Sequence, residues 1–256
     1  LIIISSVAID FSTYSKNYKN FYLDMEEILK FLTPRISKEG YSIIVLAGII
    51  AAVGLIFFDK LGLVFVLGFI FCVYFFRDPE RVTPIDTNIV CSPADGVVSA
   101  IERHVEFPEE LGVKNRFGTR VSIFLNVFNV HVNRIPVSGI VIKESYRPGK
   151  FINASLDKSS KDNERQSVLI STNDGKEIAV VQIAGLIARR IVCNLKDGDS
   201  VNAGARYGII KFGSRLDVFL PEGIEPMVLV GQTMIGGESI IARLDGEQKA
   251  IEGVTE

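Results

Sequence analysis

Residues 167–183, SVLISTNDGKEIAVVQI, decide the fold. Two β-rich apolar runs flank Asn173–Asp174–Gly175, whose residues favour the positive φ of a tight turn, so the stretch reads as an antiparallel hairpin. The same texture extends outward on both sides. Further β-rich runs lie at 88–91, 97–103, 119–125, 139–144, 190–194, 207–212, 215–220 and 228–231. Asp197–Gly198–Asp199 and Ala203–Gly204 mark additional turns. No long amphipathic helix stands out, and only a short one is expected near 152–165. The expectation is a mostly β (α+β) chain in which residues 77–256 form one compact antiparallel domain, long enough for a single good core.

Upstream the pattern changes. Residues 42–58, SIIVLAGIIAAVGLIFF, carry no charge, and neither do residues 61–76, LGLVFVLGFIFCVYFF. Asp59 and Lys60 separate them. One continuous helix would put those charges near the middle of a bilayer, which is costly. Each run alone falls a little short of the ~20 residues a spanning helix needs. Two short helices forming a hydrophobic hairpin over 41–76, spanning or re-entrant, fit better. Arg35 and Lys38 precede the hairpin, and Arg77 and Arg81 follow it. Positive charge on both flanks puts both ends on the cytoplasmic face of the cell membrane. The hairpin is expected to be an anchor that can be removed from the β domain. Residues 1–40 read as an N-terminal tail. Within it, 1–24 lack the basic-then-apolar order of a secretory signal, and the chain from Met25 reads as an ordinary start.

Composition narrows the chemistry. The 256 residues are 48% hydrophobic and 23% charged, with 28 Lys and Arg against 30 Asp and Glu. Mean hydropathy is +0.30, raised by the hairpin. That charge balance gives no large basic surface for nucleic acid. Cys72, Cys91 and Cys193 are too widely spaced for a metal knuckle or a disulfide framework. With only His104 and His131, a zinc site built on several His is excluded, so no metal is expected.

Three residues stand out for chemistry. Gly213–Ser214 lies in a tight link between YGIIKF and LDVFLP, where glycine permits a strained peptide and the Ser hydroxyl could attack the preceding carbonyl. His131 sits in the alternating segment NVFNVHVNRIP (126–136), and Asp95 in SPADG (92–96). Taken singly, each is also a common structural residue: a turn serine, a strand histidine, a turn aspartate. SPADGVVSAIE (92–102) and DGDSVNAGARYGII (197–210) resemble the hammerhead turns of barrel-sandwich folds such as lipoyl and biotinyl domains. A membrane-tethered, non-enzymatic module of that kind is the alternative reading, although no Lys occupies the turn at 95–96.

In combination the residues say more. YFFRDPER (74–81), SPADG (92–96), SIFLNVFNVHVNRIPVSG (122–139), RPGKFINASLDKSSKDNERQSV (147–168), QIAGLIARRIVC (182–193), RYGIIKFGSRLDVFLP (206–221) and GQTMIGGES (231–239) occur in order. From about residue 38 onward the chain resembles the phosphatidylserine decarboxylases, in their short bacterial form. The resemblance implies a proenzyme that cuts itself between Gly213 and Ser214 by an N-to-O acyl shift. Residues up to 213 become the β chain and 214–256 the α chain, which stay together as a heterodimer. It implies that Ser214 becomes a covalent pyruvoyl group, the only cofactor, which forms an imine with the serine amine of phosphatidylserine. That ketone is an electron sink for loss of carbon dioxide, and the product is phosphatidylethanolamine. His131 and Asp95 match the acid–base residues, with Asp95 orienting the imidazole. Arg189, Arg190, Arg165 and Lys150 are candidates for binding the substrate phosphate. The sequence departs from the long form of the family at Arg134, where that form has a second His. The acyl tails are not specified, so another serine-headed lipid such as archaetidylserine remains an alternative substrate.

Overall fold

The computed structural model describes residues 35–113, 116–149, 162–185, 190–211 and 213–246. Residues from Ile36 onward belong to one compact unit. The expectations for 1–24, for a short helix near 152–161, and for Lys150 and Arg189 fall outside the described residues.

The two uncharged runs form helices α1 (Tyr41–Phe57) and α2 (Gly62–Phe75), joined by a short 3-10 turn, Asp59–Leu61. They fold back on each other where side chains vanish. A Cβ on Gly54 would come within 2.5 Å of the Phe65 ring, and one on Gly62 within 2.7 Å of the Gly54 carbonyl. Among the described residues, only the segment Lys38–Phe57 is both long and apolar enough to cross a membrane. At ~1.5 Å per residue, α2 reaches only about 21 Å, short of a ~30 Å hydrocarbon core. Outward-facing Leu46, Ile49, Ile56, Phe57, Leu63 and Leu67 are all more than half exposed, so the outer surface of the hairpin is apolar.

The rest is antiparallel β structure. In chain order the strands are β1 (Ile89–Cys91), β2 (Gly96–Glu106), β3 (Phe117–Leu125), β4 (Val132–Arg134), β5 (Gly139–Arg147), β6 (Arg165–Ser171) and β7 (Glu177–Ala184). They continue with β8 (Arg190–Cys193), β9 (Ser200–Val201), β10 (Arg206–Lys211), β11 (Ser214–Pro221), β12 (Thr233–Met234) and β13 (Ile240–Arg243). Among the described residues, a curled eight-stranded sheet runs β12-β2-β3-β11-β7-β6-β5-β9. A three-stranded sheet, β4-β10-β8, and the pair β1-β13 complete the architecture. The mostly β reading therefore holds. The expected hairpin is β6–β7, with Gly175 at φ +75° in its turn. Residues 228–231 are not a strand; pairing falls instead on 233–234 and 240–243, where short segments close the sheet edges. Residue 165, assigned by sequence to a helix, opens β6 because Arg165 pairs in register with both Arg147 and Ile183.

Strand alternation sorts the large sheet into two faces. Leu125, Ile123, Val121, Val180, Ala184, Leu216 and Val218 point into the main core. Phe107, Leu169, Val181, Ile183 and Phe219 make a second cluster on the other face. A third cluster seats the hairpin: Phe75 and Phe76, fully buried, pack with Val130, Val132 and Ile209. Backbone bonds reinforce that seat, with Ser37 N donating to Phe76 O at 2.8 Å.

Candidate active site

The Gly213–Ser214 peptide is the corner between two sheets. β10 ends the three-stranded sheet at Lys211, and β11 begins at Ser214 in the middle of the large sheet, between β3 and β7. Gly213 takes φ +67°, and a Cβ there would meet nothing within 4 Å. Glycine is thus required by backbone conformation, not by crowding. Ser214 is fully buried, and its Oγ has no hydrogen-bond partner among the described residues. A buried hydroxyl without a partner is costly, of order 1–3 kcal/mol, and rare in folded proteins.

His131 reaches this corner. Its Nε2 lies 3.4 Å from the Gly213 nitrogen, at the long limit for accepting that N–H. Its Nδ1 is 3.0 Å from the Asn129 carbonyl. A carbonyl can only accept, so Nδ1 carries the proton and the Nε2 lone pair faces the junction. His131 is fully buried, and the Phe75 ring lies against it with centroids 4.2 Å apart. Burial pushes the imidazole down to about 4, opposed by the Asn129 carbonyl and helped by the Arg77 charge. The ring is therefore a neutral base at pH 7.

Asp95 is in different company from that expected. Its Oδ2 accepts from Arg81 Nη2 at 2.7 Å and its Oδ1 from Gly236 N at 2.8 Å. The bond that orients the imidazole comes from Asn129, not from this carboxylate. Burial raises the Asp95 carboxyl, against the Gly236 amide and the Arg81 and Arg77 charges. The following Gly96 is dictated by close approach, since a Cβ would sit 2.3 Å from the Phe124 carbonyl.

The segment after α2 wraps the site. In YFFRDPER, Phe75 backs His131 and Arg81 holds Asp95. Asp78 pairs with Arg206 at 2.6 Å and with Arg134 at 3.4 Å. Arg134 also donates to Gly204 O at 2.8 Å and Pro79 O at 2.9 Å. The Arg that replaces the second His of the long form is therefore a tie between this segment and the β domain. The sequence marked this block as part of the family resemblance and Arg77 and Arg81 as flanking charges, but not as a wall of the site; its density of charge next to an apolar run was the available signal. It also missed Asn129, a backbone carbonyl that no side-chain motif marks. The last turn of the hairpin packs against His131 through Phe75.

The phosphate candidates separate. Arg165 shares a face with Ile183 and Arg215, across the sheet from Ser214 and Ala184. Glu110 holds it with two contacts of 2.7 Å. A cavity of about 580 Å³ lies on that same far face, lined by Phe107, Arg120, Arg165, Ile183, Asp217 and Phe219. It does not reach the Ser214 hydroxyl. Arg190 is exposed on β8, opposite Lys211, two residues before the junction glycine.

The family model for phosphatidylserine decarboxylase matches residues 69–242, from α2 through β13. The chain belongs to the phosphatidylserine decarboxylase family. The phosphatidylserine decarboxylase proenzyme of Ruegeria pomeroyi is 57% identical over 200 residues, covering 77% of this chain and 91% of that protein. That of Paramagnetospirillum magneticum is 50% identical over 226 residues, 88% of this chain and 94% of the relative. The proenzyme of Rickettsia akari is 52% identical over 217 residues, 85% and 93% of the two chains. The protein is thus a decarboxylase of this family, and the reading as a non-enzymatic barrel-sandwich module falls away.

Proposed function

We propose that this phosphatidylserine decarboxylase matures by cutting its own Gly213–Ser214 bond and then converts phosphatidylserine to phosphatidylethanolamine and carbon dioxide at the cytoplasmic face of the cell membrane. The observation that carries the reading is the buried, unpartnered Ser214 Oγ beside a left-handed Gly213, with the His131 lone pair at the same peptide.

Neutral His131 takes the Ser214 proton through Nε2 as Oγ attacks the Gly213 carbonyl. Its 3.4 Å contact to Gly213 N is weak and readily exchanged for that proton. The C–N bond breaks and an ester forms. Removal of the residue 214 Cα proton then expels the Gly213 carboxylate, leaving dehydroalanine. Tautomerisation, addition of water and loss of ammonia complete a pyruvoyl group at the head of β11. The residues fit such a group: a hydroxyl with no structural bond to lose stands at the start of a strand that both neighbours hold in place. When formed, that ketone supplies the electron sink that pyridoxal phosphate provides in other decarboxylases. His131 then carries the proton to the carbon that has lost carbon dioxide, and the Asn129 carbonyl keeps its tautomer correct.

The cut leaves the fold closed. The new small chain, 214–256, retains β11 between β3 and β7, β12 on β2 and β13 on β1. The apolar face of the hairpin lies in the bilayer, so a two-tailed lipid need not leave it. The intact mass of the small chain tests the proposal: it should begin at residue 214 and carry pyruvoyl in place of serine. A Ser214→Ala protein should remain a single chain without activity. Splitting at 213/214 in that variant would refute the mechanism.

A further inference from the structure

We propose that Arg77 is the cation that grips the substrate phosphodiester at the mouth of the site. The inference deepens the function proposed above and rests on it. Arg77 sits two residues after Phe75, whose ring backs His131. Its Nη1 donates to Tyr74 O at 2.9 Å and its Nη2 to Phe128 O at 2.7 Å. Phe128 is three residues before His131 in the same loop. The guanidinium therefore bridges the end of α2 and the loop that carries the catalytic imidazole.

Its partners set it apart. Arg81 has Asp95, and Arg134 and Arg206 share Asp78. Among the described residues, Arg77 makes no ion pair. It lies 3.8 Å over the Tyr74 ring and bonds two carbonyls, which fixes the plane of the fork and leaves N–H groups unspent. A planar guanidinium fixed in this way is pre-organised for a phosphate. Partial burial pulls its own proton affinity down, only partly opposed by the Tyr74 hydroxyl and the Asp95 charge, a cost that an arriving anion relieves.

The surroundings point to a lipid. Phe128 is 63% exposed and meets Phe71 of α2 edge-on, with centroids 6.4 Å apart. An apolar rim continuous with the hairpin thus adjoins the cation, which is where an interfacial diester would lie. The substrate carries two anionic groups, and chemistry selects between them. The seryl carboxylate leaves as carbon dioxide, so a cation gripping it would stabilise the ground state over the transition state. The phosphodiester is unchanged by the reaction. Holding it lowers KM without slowing the chemical step.

Two measurements test this. On wild-type protein in detergent, phenylglyoxal modification of Arg77 is followed by peptide mass spectrometry. Dioleoyl phosphatidylethanolamine, which has a phosphate and no carboxylate, should slow it several-fold, and diolein at equal concentration should not. Equal protection by both lipids would overturn the proposal. This arm needs no turnover, so it stands or falls separately from the proposed reaction. In the second, Arg77→Gln should raise KM for phosphatidylserine roughly 10- to 100-fold with kcat little changed, and Arg77→Lys should recover part of the loss. A fall in kcat at constant KM would mean that Arg77 only positions the His131 loop.

Discussion

The Phe75 ring lies on the His131 imidazole, 4.2 Å between centroids and tilted by 32°. The last residue of α2 thus shields the residue assigned to acid–base chemistry. That contact links two parts of the protein that the sequence presents as separate, and it explains why the imidazole stays neutral.

The pH dependence of maturation follows. His131 is held at about 4 when folded, below the ~6.5 of a free imidazole. Its neutral form is stabilising above pH 6.5, and that contribution is lost as pH falls toward 4, about 3 kcal/mol in all. The charged groups that act on it and its neighbours are Arg77, Arg81 and Asp95. Chain splitting should be nearly flat from pH 8 to 5 and fall with a midpoint near 4. Phe75→Ala admits water to the ring and should move that midpoint up toward 6.5. It should also destabilise the fold by about 3–5 kcal/mol, the usual cost of emptying a buried Phe site. Splitting rates over a pH series check both points; an unshifted midpoint in Phe75→Ala would show that the ring does not set the titration.

The His131 side chain itself is the next test. His131→Ala should leave the chain largely uncut, a loss of ~100- to 10,000-fold expected for removal of a general base. His104 is the control. It lies at an exposed position with φ +53°, stacked on Phe117 and far along β2 from the SPADG turn. His104→Ala should be processed at the wild-type rate. Normal splitting in His131→Ala would move the base elsewhere.

Asp95 acts through different partners from those a Ser–His–Asp set implies. Its carboxylate binds Arg81 and the Gly236 amide, which ties the 74–81 segment to the 236 turn. Arg81→Gln and Asp95→Asn should therefore slow splitting to a similar extent, and the double variant should be little worse than either single one. Time courses of splitting for the three proteins measure the coupling. Additive losses would show that the two residues work independently.

The β domain was legible because turn chemistry and alternation are local. Asn173–Asp174–Gly175 specifies its hairpin whatever surrounds it. The tight link at Gly213–Ser214 was legible because it falls between two unmistakable strands. Three features were not legible, and all depend on distant pairing. Residues 233–234 and 240–243 are too short to show a period, and they become strands only against β2 and β1. The His131 tautomer rests on the Asn129 backbone carbonyl, which every residue possesses. Arg77 and Arg81 looked like flanking charges that orient a membrane segment. Arg81 is instead spent on Asp95, and Arg77 lies folded onto Tyr74.

The backbone at Gly213 offers the sharpest separation of conformation from packing. With φ at +67° and open space where a Cβ would go, Gly213→Ala meets no clash. It meets only the left-handed penalty, about 1–2 kcal/mol. For a domain of this size that lowers Tm by roughly 2–8 °C, so the variant should fold. Relief of the strain by rotating the peptide would turn the Gly213 carbonyl away from Ser214 Oγ and its N–H away from His131, so splitting should slow at least tenfold. Asn tolerates the left-handed region better than any other side chain that could stand here. Gly213→Asn should therefore split faster than Gly213→Ala despite its larger side chain. Parallel time courses with melting curves decide the matter. If the larger Asn splits more slowly than Ala, crowding at the corner governs the cut, and the left-handed conformation is not what readies the bond for attack.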